Sequence, residues 1–250
     1  MLIICWDFDG TLVSSEIAYR NIFVKYFKDK KENNINSSFA KYGGKQPINV
    51  FNDLKKEGVI EKNLTLNISD FESDFKKEIQ NNSLLLTKDI EKILEKLNSF
   101  KNTIMAIVTS TNKQDFELKY KSHSINVLKK YFNIDKNIYI CSEVGNKELK
   151  PSPNGYLYAI NDIISKNNII SEKNILITIE DSVSGCASAL SAKNNLKNKI
   201  ETIIIGYPID NPYTKEEELK KSGADFVFKT PKELLNFLEN LAVRPGLEPR

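Results

Sequence analysis

At 250 residues, with 40% hydrophobic and 28% charged side chains, the chain is long enough for one α/β domain plus a smaller insertion and far from the composition of a disordered protein. The formal charge of +3 comes mostly from lysine, arginine occurring only at Arg20, Arg244 and Arg250, and lysine runs such as 28–31 are interleaved with acids, so nucleic acid is not an expected partner. No window approaches the ~18 apolar residues of a membrane span, no basic and apolar leader precedes the first strand, and Cys5, Cys141 and Cys186 lack metal or disulfide spacing; together these predict a cytoplasmic protein with reduced thiols and no membrane partner.

Leu2 to Trp6 (LIICW) forms a short apolar run, as expected of a strand buried on both faces of a parallel sheet, and it stops abruptly at Asp7, Asp9 and Gly10. In open α/β sheets ligands collect at the carboxyl ends of strands, which puts both acids at the expected reaction site; the plainer alternative is a solvated strand-to-helix turn. Ser14 to Phe27 then has helical spacing at Ile17, Ile22, Phe23 and Phe27, with Ser14 or Ser15 as cap. Up to about residue 83 the pattern stays helical, with stripes at Val50, Phe51, Leu54 and at Phe71, Phe75, Ile79, broken by the loop KYGGKQP at 41–47.

Thr87 to Phe100 reads as a helix, and Thr103 to Val108 (TIMAIV) as a second buried strand followed by Thr109, Ser110 and Thr111. A helical stretch with Phe116, Leu118, Tyr120, Val127 and Leu128 leads to a third strand, Asn137 to Cys141; His123, the only histidine, is expected on the surface. Lys150 precedes a helix that Pro153 can start. Asn174 to Ile179 is a fourth strand, followed by Glu180, Asp181 and the small-residue helix SVSGCASAL. Thr202 to Ile205 and Phe226 to Phe228 add two strands, and Thr230–Pro231 opens a closing helix with Leu234, Leu235, Phe237, Leu238 and Leu241.

This alternation predicts an α/β fold: a doubly wound parallel sheet interrupted once, between its first two strands, by a helical insertion. Right-handed crossovers place Asp7, Asp9, Thr109, Lys150, Glu180 and Asp181 on one edge. Four carboxylates against one lysine leave that edge near −3, and two bare carboxylates at 4 Å repel by about 4 kcal/mol at an effective dielectric of 20. A cation is required, and oxygen ligands without Cys or His select Mg²⁺, which pairs one or two carboxylates with a substrate phosphate. A carboxylate can attack phosphorus, a second acid can serve the leaving oxygen, and a hydroxyl and an ammonium can grip the phosphoryl oxygens. Asp7, Asp9, Thr109 and Lys150 can fill these four positions, with Glu180 and Asp181 left for the metal.

DFDGT at 7–11, VTS at 108–110, LKPSP at 149–153 and IEDSVSG at 179–185 resemble the four ordered motifs of the haloacid dehalogenase superfamily, and most closely its phosphoglycolate phosphatase and β-phosphoglucomutase-like subgroup. The resemblance implies a Rossmann-like catalytic core made of 1–13 and 84–241 and a helical cap domain of 14–83 over the site; the compositional shift at RPGLEPR, with two of the three arginines and two of the eight prolines, predicts a disordered tail over 242–250. It implies Asp7 as nucleophile and metal ligand, Asp9 as acid/base whose carbonyl also meets the metal, Thr109 and Lys150 on the phosphate, and Asp181 with Glu180 completing the metal set. Thr11 and Ser110 fall in the same motifs and are expected to contact substrate. Gly43, Gly44 and Lys45 resemble the cap specificity loop, so Gly44 and Lys45 are expected to reach the substrate too; a solvated loop lysine is the alternative.

The activity so implied is Mg²⁺-dependent hydrolysis of a small phosphorylated metabolite, with a monomer as the default oligomeric state. A phosphosugar mutase is the runner-up: the mutases of this subgroup carry a cap-side histidine after the first motif, where Tyr19 stands here. A non-catalytic phosphate-binding regulator is the third reading, against which both Asp7 and Asp9 are present. Ser14 stands where the subgroup commonly has an acid, and a serine caps a helix about as well.

Overall fold

The computed structural model describes residues 1–15, 22, 23, 25, 47–65, 67–81, 84–167, 169, 174–196, 200–211 and 214–243. Gly43, Gly44, Lys45, Ile17, Tyr19, Phe27 and the tail from 244 onward lie outside them, as do the side chains of Phe75 and Ile79.

The core is a six-stranded parallel sheet of order β5-β4-β1-β6-β7-β8, formed by β1 (Leu2–Trp6), β4 (Thr103–Thr109), β5 (Ile138–Ile140), β6 (Ile175–Glu180), β7 (Glu201–Gly206) and β8 (Phe226–Val227). β1 lies in the middle, and all five of its residues are buried because its side chains alternate between two cores. Leu2, Ile4 and Trp6 join one apolar cluster, while Ile3 and Cys5 join the other. Burying a Leu, Ile or Phe side chain stabilises by about 1.5–3 kcal/mol, so this strand alone anchors both layers.

The first layer is made by α3 (Ile90–Asn98), α4 (Lys113–Tyr120) and α8 (Pro231–Ala242). α8 starts as the sequence predicts, with Thr230 as cap accepting from the Glu233 amide and Pro231 in the first turn. The second layer is made by α5 (Asn154–Lys166), α6 (Val183–Asn195) and α7 (Glu216–Lys221). Cys5, Cys141 and Cys186 are all buried and free, and His123 is exposed. No helix among the described residues is long and apolar enough to cross a membrane.

Three local expectations need correction. The sequence shows no strand between Trp6 and Thr103, yet β2 (Val13–Ser14) pairs antiparallel with β3 (Leu85–Leu86), Val13 opposite Leu86 and Ser14 opposite Leu85. This clamp joins the two ends of the intervening segment, which carries α1 (Pro47–Lys56) and α2 (Ile68–Asn81), and it puts Ser14 in a strand rather than at a helix cap. The helix expected from Thr87 begins only at Ile90, because Asp89 is left-handed (φ 55°) and the Thr87 hydroxyl is taken by the Thr11 carbonyl at 2.7 Å. The stretch from Phe116 to Leu128 is α4 followed by a separate 3₁₀ helix, His123–Lys130, whose buried Ile125 and Leu128 stand three apart, the period of that helix.

Candidate active site

The register brings the acids together. Trp6, the last residue of β1, lies opposite Ile107 on one side and Ile179 on the other, two residues before the end of β4 and one before the end of β6. Asp7 follows at once, its amide donating to the Ile179 carbonyl at 2.9 Å. The chain then turns sharply at Gly10, whose φ of 77° suits glycine, and the Leu12 and Val13 amides both return to the Phe8 carbonyl at 3.0 and 2.9 Å. Phe8 points into the core against Phe116, with ring centroids 4.7 Å apart, which leaves the two flanking acids on the open edge.

Lys150, from the loop between β5 and α5, fills the centre of this edge. Its Nζ lies 2.6 Å from Asp7 Oδ1, 2.7 Å from Glu180 Oε1 and 2.7 Å from the Val108 carbonyl. Its backbone is fixed as well, the Lys150 amide donating to Ser110 Oγ at 3.0 Å. Burial disfavours the ammonium, but the charges of Asp7 and Glu180 outweigh it and hold the lysine protonated well above its usual range. Burial pushes the Asp7 carboxyl up against the pull of Lys150, and it pushes Glu180 up to about 7.

Glu180 has a further partner that sequence reasoning missed. Tyr156, fully buried on α5, donates its hydroxyl to Glu180 Oε1, and Lys150 Nζ lies 5.3 Å above the Tyr156 ring. The other carboxylate oxygen, Oε2, is buried without a hydrogen-bond partner among the described residues and packs on Gly185 of α6, where a Cβ would come within 1.8 Å of it.

Asp7, Glu180 and Asp181 form a buried cluster in which one carboxylate oxygen from each lies within 4.8 Å of the others. Asp181 Oδ2 accepts from Asn211 Nδ2 at 3.1 Å, a second unforeseen contact. Three hard carboxylate donors, from residues that include the buried Glu180 with an oxygen unpartnered among the described residues, fit a divalent cation of the Mg²⁺ type.

Asp9 stands apart from this cluster and is gripped by three donors. Lys119 Nζ on α4 lies 2.6 Å from Oδ1, Ser15 Oγ donates to the same oxygen, and Thr111 Oγ1 donates to Oδ2. Burial raises the Asp9 carboxyl, but the charge and hydrogen bond of Lys119, with the two hydroxyls, hold it below the usual carboxylate range. Lys119 also corrects the charge count: four carboxylates now face two lysines, which leaves −2 rather than −3 before any cation or phosphate is added. Sequence reading did not single out this lysine, because its carboxylate partner is 110 residues away.

Thr109 ends β4 buried, its Oγ1 accepting from the Thr111 amide at 3.1 Å. Thr11 is fully buried, its hydroxyl without a partner among the described residues. Of the predicted site residues, Asp7, Lys150, Ser110, Glu180 and Asp181 are thus joined directly or through one neighbour, and Thr109 and Asp9 are linked through Thr111. Gly44 and Lys45 lie outside the described residues.

Similar folds exist among solved structures. A haloacid dehalogenase-like protein of unknown function from Agrobacterium tumefaciens superposes with a TM-score of 0.74 at 19% identity, over 96% of this chain and 98% of that one. A HAD family hydrolase from Deinococcus radiodurans, solved with bound phosphate and sodium, gives 0.72 at 20% identity over 98% of each chain. A candidate β-phosphoglucomutase from Thermotoga maritima gives 0.62 at 22% identity over 96% and 100%. A search of curated protein sequences returns no match. The sequence profile of haloacid dehalogenase-like hydrolases matches residues 4–197, a span that carries Asp7, Asp9, Lys150, Glu180 and Asp181 alike, and on that match the chain belongs to the haloacid dehalogenase-like hydrolase family.

Proposed function

We propose that the protein is a Mg²⁺-dependent phosphatase that hydrolyses a small phosphorylated metabolite through an aspartyl phosphate on Asp7. The observation that carries this reading is the contact of Lys150 with both Asp7 and Glu180, at 2.6 and 2.7 Å, beside the carboxylate of Asp181. A lysine so placed neutralises part of the acid cluster and keeps one Asp7 oxygen fixed, and its ammonium, whose three hydrogens meet Asp7, Glu180 and the Val108 carbonyl, would exchange one of these contacts for a phosphoryl oxygen.

Asp7, Glu180 and Asp181 would hold the metal, with the Asp9 carbonyl as a further oxygen. Bound there, Mg²⁺ would offset the negative charge that Asp7 and an incoming phosphate bring together. The Asp7 carboxylate forms a bond to phosphorus as the ester P–O bond breaks, and the leaving oxygen takes a proton from Asp9. Water then attacks the phosphoryl group and gives its proton to Asp9, which releases phosphate and restores Asp7. Thr109, Ser110, Thr11 and Lys150 bind and orient the phosphoryl group, and the segment between β2 and β3, with Gly44 and Lys45, is the proposed cap that shuts out bulk water.

The test is phosphate release from a broad panel of phosphorylated sugars, acids and nucleotides, with and without Mg²⁺. Release is expected from at least one of them, abolished by EDTA and by Asp7→Asn. No release from any donor by folded, Mg²⁺-loaded protein would refute the reading; isomerisation of β-glucose 1-phosphate without net phosphate release would replace it with a mutase.

A further inference from the structure

The hydrophobic face of α4 contains a lysine. Its buried residues are Phe116, Lys119 and Tyr120, the i, i+3, i+4 pattern of a core-facing stripe, and Lys119 is 4% exposed. A buried ammonium is tolerated only where a counter-charge and hydrogen bonds offset its lost hydration. Here the counter-charge is Asp9 Oδ1 at 2.6 Å.

The helix that carries this lysine is firmly placed. Asn112 caps its start by accepting from the Asp115 amide at 2.9 Å, and Phe116 packs on Phe8, the residue between Asp7 and Asp9. A hydroxyl on each Asp9 oxygen would already satisfy hydrogen bonding, with Ser15 on Oδ1 and Thr111 on Oδ2. The lysine adds a third grip, from a rigid helix rather than from a loop, and opposes rotation of the carboxylate about its last torsion.

We propose that Lys119 is a positioning residue, which holds the Asp9 carboxylate in the orientation needed for proton transfer with the leaving oxygen. The inference rests on the phosphatase reading above and adds a residue that none of its motifs contains. When Asp7 forms its bond to phosphorus and the ester bond breaks, a protonated Asp9 gives its proton to the leaving oxygen and returns to the carboxylate form, which the Lys119 ammonium and the two hydroxyls favour. A leaving group that is stable as an anion needs no such proton, so Lys119 matters only for poor leaving groups.

Single-turnover formation of the phosphoenzyme tests this, with two donors: the alkyl phosphate that wild type hydrolyses best, and p-nitrophenyl phosphate. Wild type, Lys119→Met, Lys119→Gln, Asp9→Asn and the double variant Lys119→Met/Asp9→Asn are compared. For Lys119→Met the rate with the alkyl phosphate is expected to fall about tenfold to a hundredfold at unchanged KM, a part of the ~10²–10⁴ that a positioned general acid supplies. The rate with p-nitrophenyl phosphate should stay within about threefold, and Lys119→Met should add nothing in the Asp9→Asn background. If Lys119→Met does not fold, Lys119→Gln reads the same ratio. Equal losses on both donors, no loss on either, or full additivity with Asp9→Asn would overturn the proposal. A wild type that is phosphorylated by neither donor would instead sink the phosphatase reading.

Discussion

Tyr156 donates its hydroxyl to Glu180 Oε1, the same oxygen that takes the Lys150 ammonium at 2.7 Å. One oxygen of the fully buried Glu180 carboxylate thus meets both the lysine and the tyrosine. Tyr156→Phe keeps the ring and removes only the donor, so Glu180 can turn without opening a cavity. Losing a hydrogen bond to a charged group costs about 1.5–3 kcal/mol. Expected outcomes are a fall in melting temperature of a few degrees and a fall of about tenfold in activity or metal affinity, the lower end of what an outer partner of a metal ligand contributes. Unchanged activity at every Mg²⁺ concentration would show that Glu180 needs no such support.

Gly185 makes a second prediction through the other Glu180 oxygen. A Cβ at this position would lie 1.8 Å from Oε2 and 2.2 Å from the carboxylate carbon, distances that no side chain can occupy. Gly185→Ala must therefore displace Glu180 or the start of α6, at a cost of about 1–3 kcal/mol. Activity should drop by more than Tyr156→Phe causes, since the whole carboxylate moves, and thermal unfolding with a steady-state assay would read both effects. A fully active, equally stable Gly185→Ala would mean that Glu180 has room to spare.

Asn211 separates metal binding from chemistry. Its Nδ2 holds Asp181 Oδ2 at 3.1 Å, and the residue is buried beyond the end of β7. Asn211→Ala removes this hold on Asp181 and leaves Asp7 and Asp9 unaltered. The Mg²⁺ concentration for half-maximal activity should rise about tenfold or more, with kcat nearly recovered at saturation. A lowered kcat that no amount of Mg²⁺ restores would point instead to a misplaced Asp7.

The sequence revealed those parts of the fold whose signal is local. β1 and β6 are buried on both faces, so they read as continuous apolar runs ending in acids, and the closing helix carries its cap and proline in adjacent positions. What could not be read depends on partners far along the chain. β2 and β3 are two residues each, too short for any periodicity, and exist because they pair with one another. Tyr156 looks like one more apolar position on α5, since only its hydroxyl, aimed at Glu180, distinguishes it from phenylalanine. Lys119 could be recognised only by a fault in pattern, a charged residue three after Phe116 on an otherwise buried stripe. Asn211 follows β7 in a stretch where nothing in the residue types marks an outer contact to Asp181.

The same burial that builds the cluster should make the metal-free protein less stable as pH rises. Burial, opposed by Lys150 and aided by Asp7, moves the Glu180 carboxyl from an ordinary 4.5 up to about 7. The folded protein therefore keeps a proton between those values that the unfolded chain has given up, and stability falls with rising pH across that window. This contribution is fully present below the unfolded value and is lost as pH rises through about 7. Asp9 runs the other way: its carboxyl is held low, chiefly by Lys119 acting against burial, so its contribution is present above the unfolded 3.8 and fades only in stronger acid. In EDTA, the folding free energy should thus drop by on the order of 2 kcal/mol between about pH 5 and pH 8, a fall of several degrees in melting temperature for a chain of this size. Added Mg²⁺ should flatten the slope by stabilising the ionised cluster, and Glu180→Gln should remove most of it without metal. A metal-free melting temperature that is level from pH 5 to 8, or that rises, would show that Glu180 is ionised throughout and that Lys150 alone balances it.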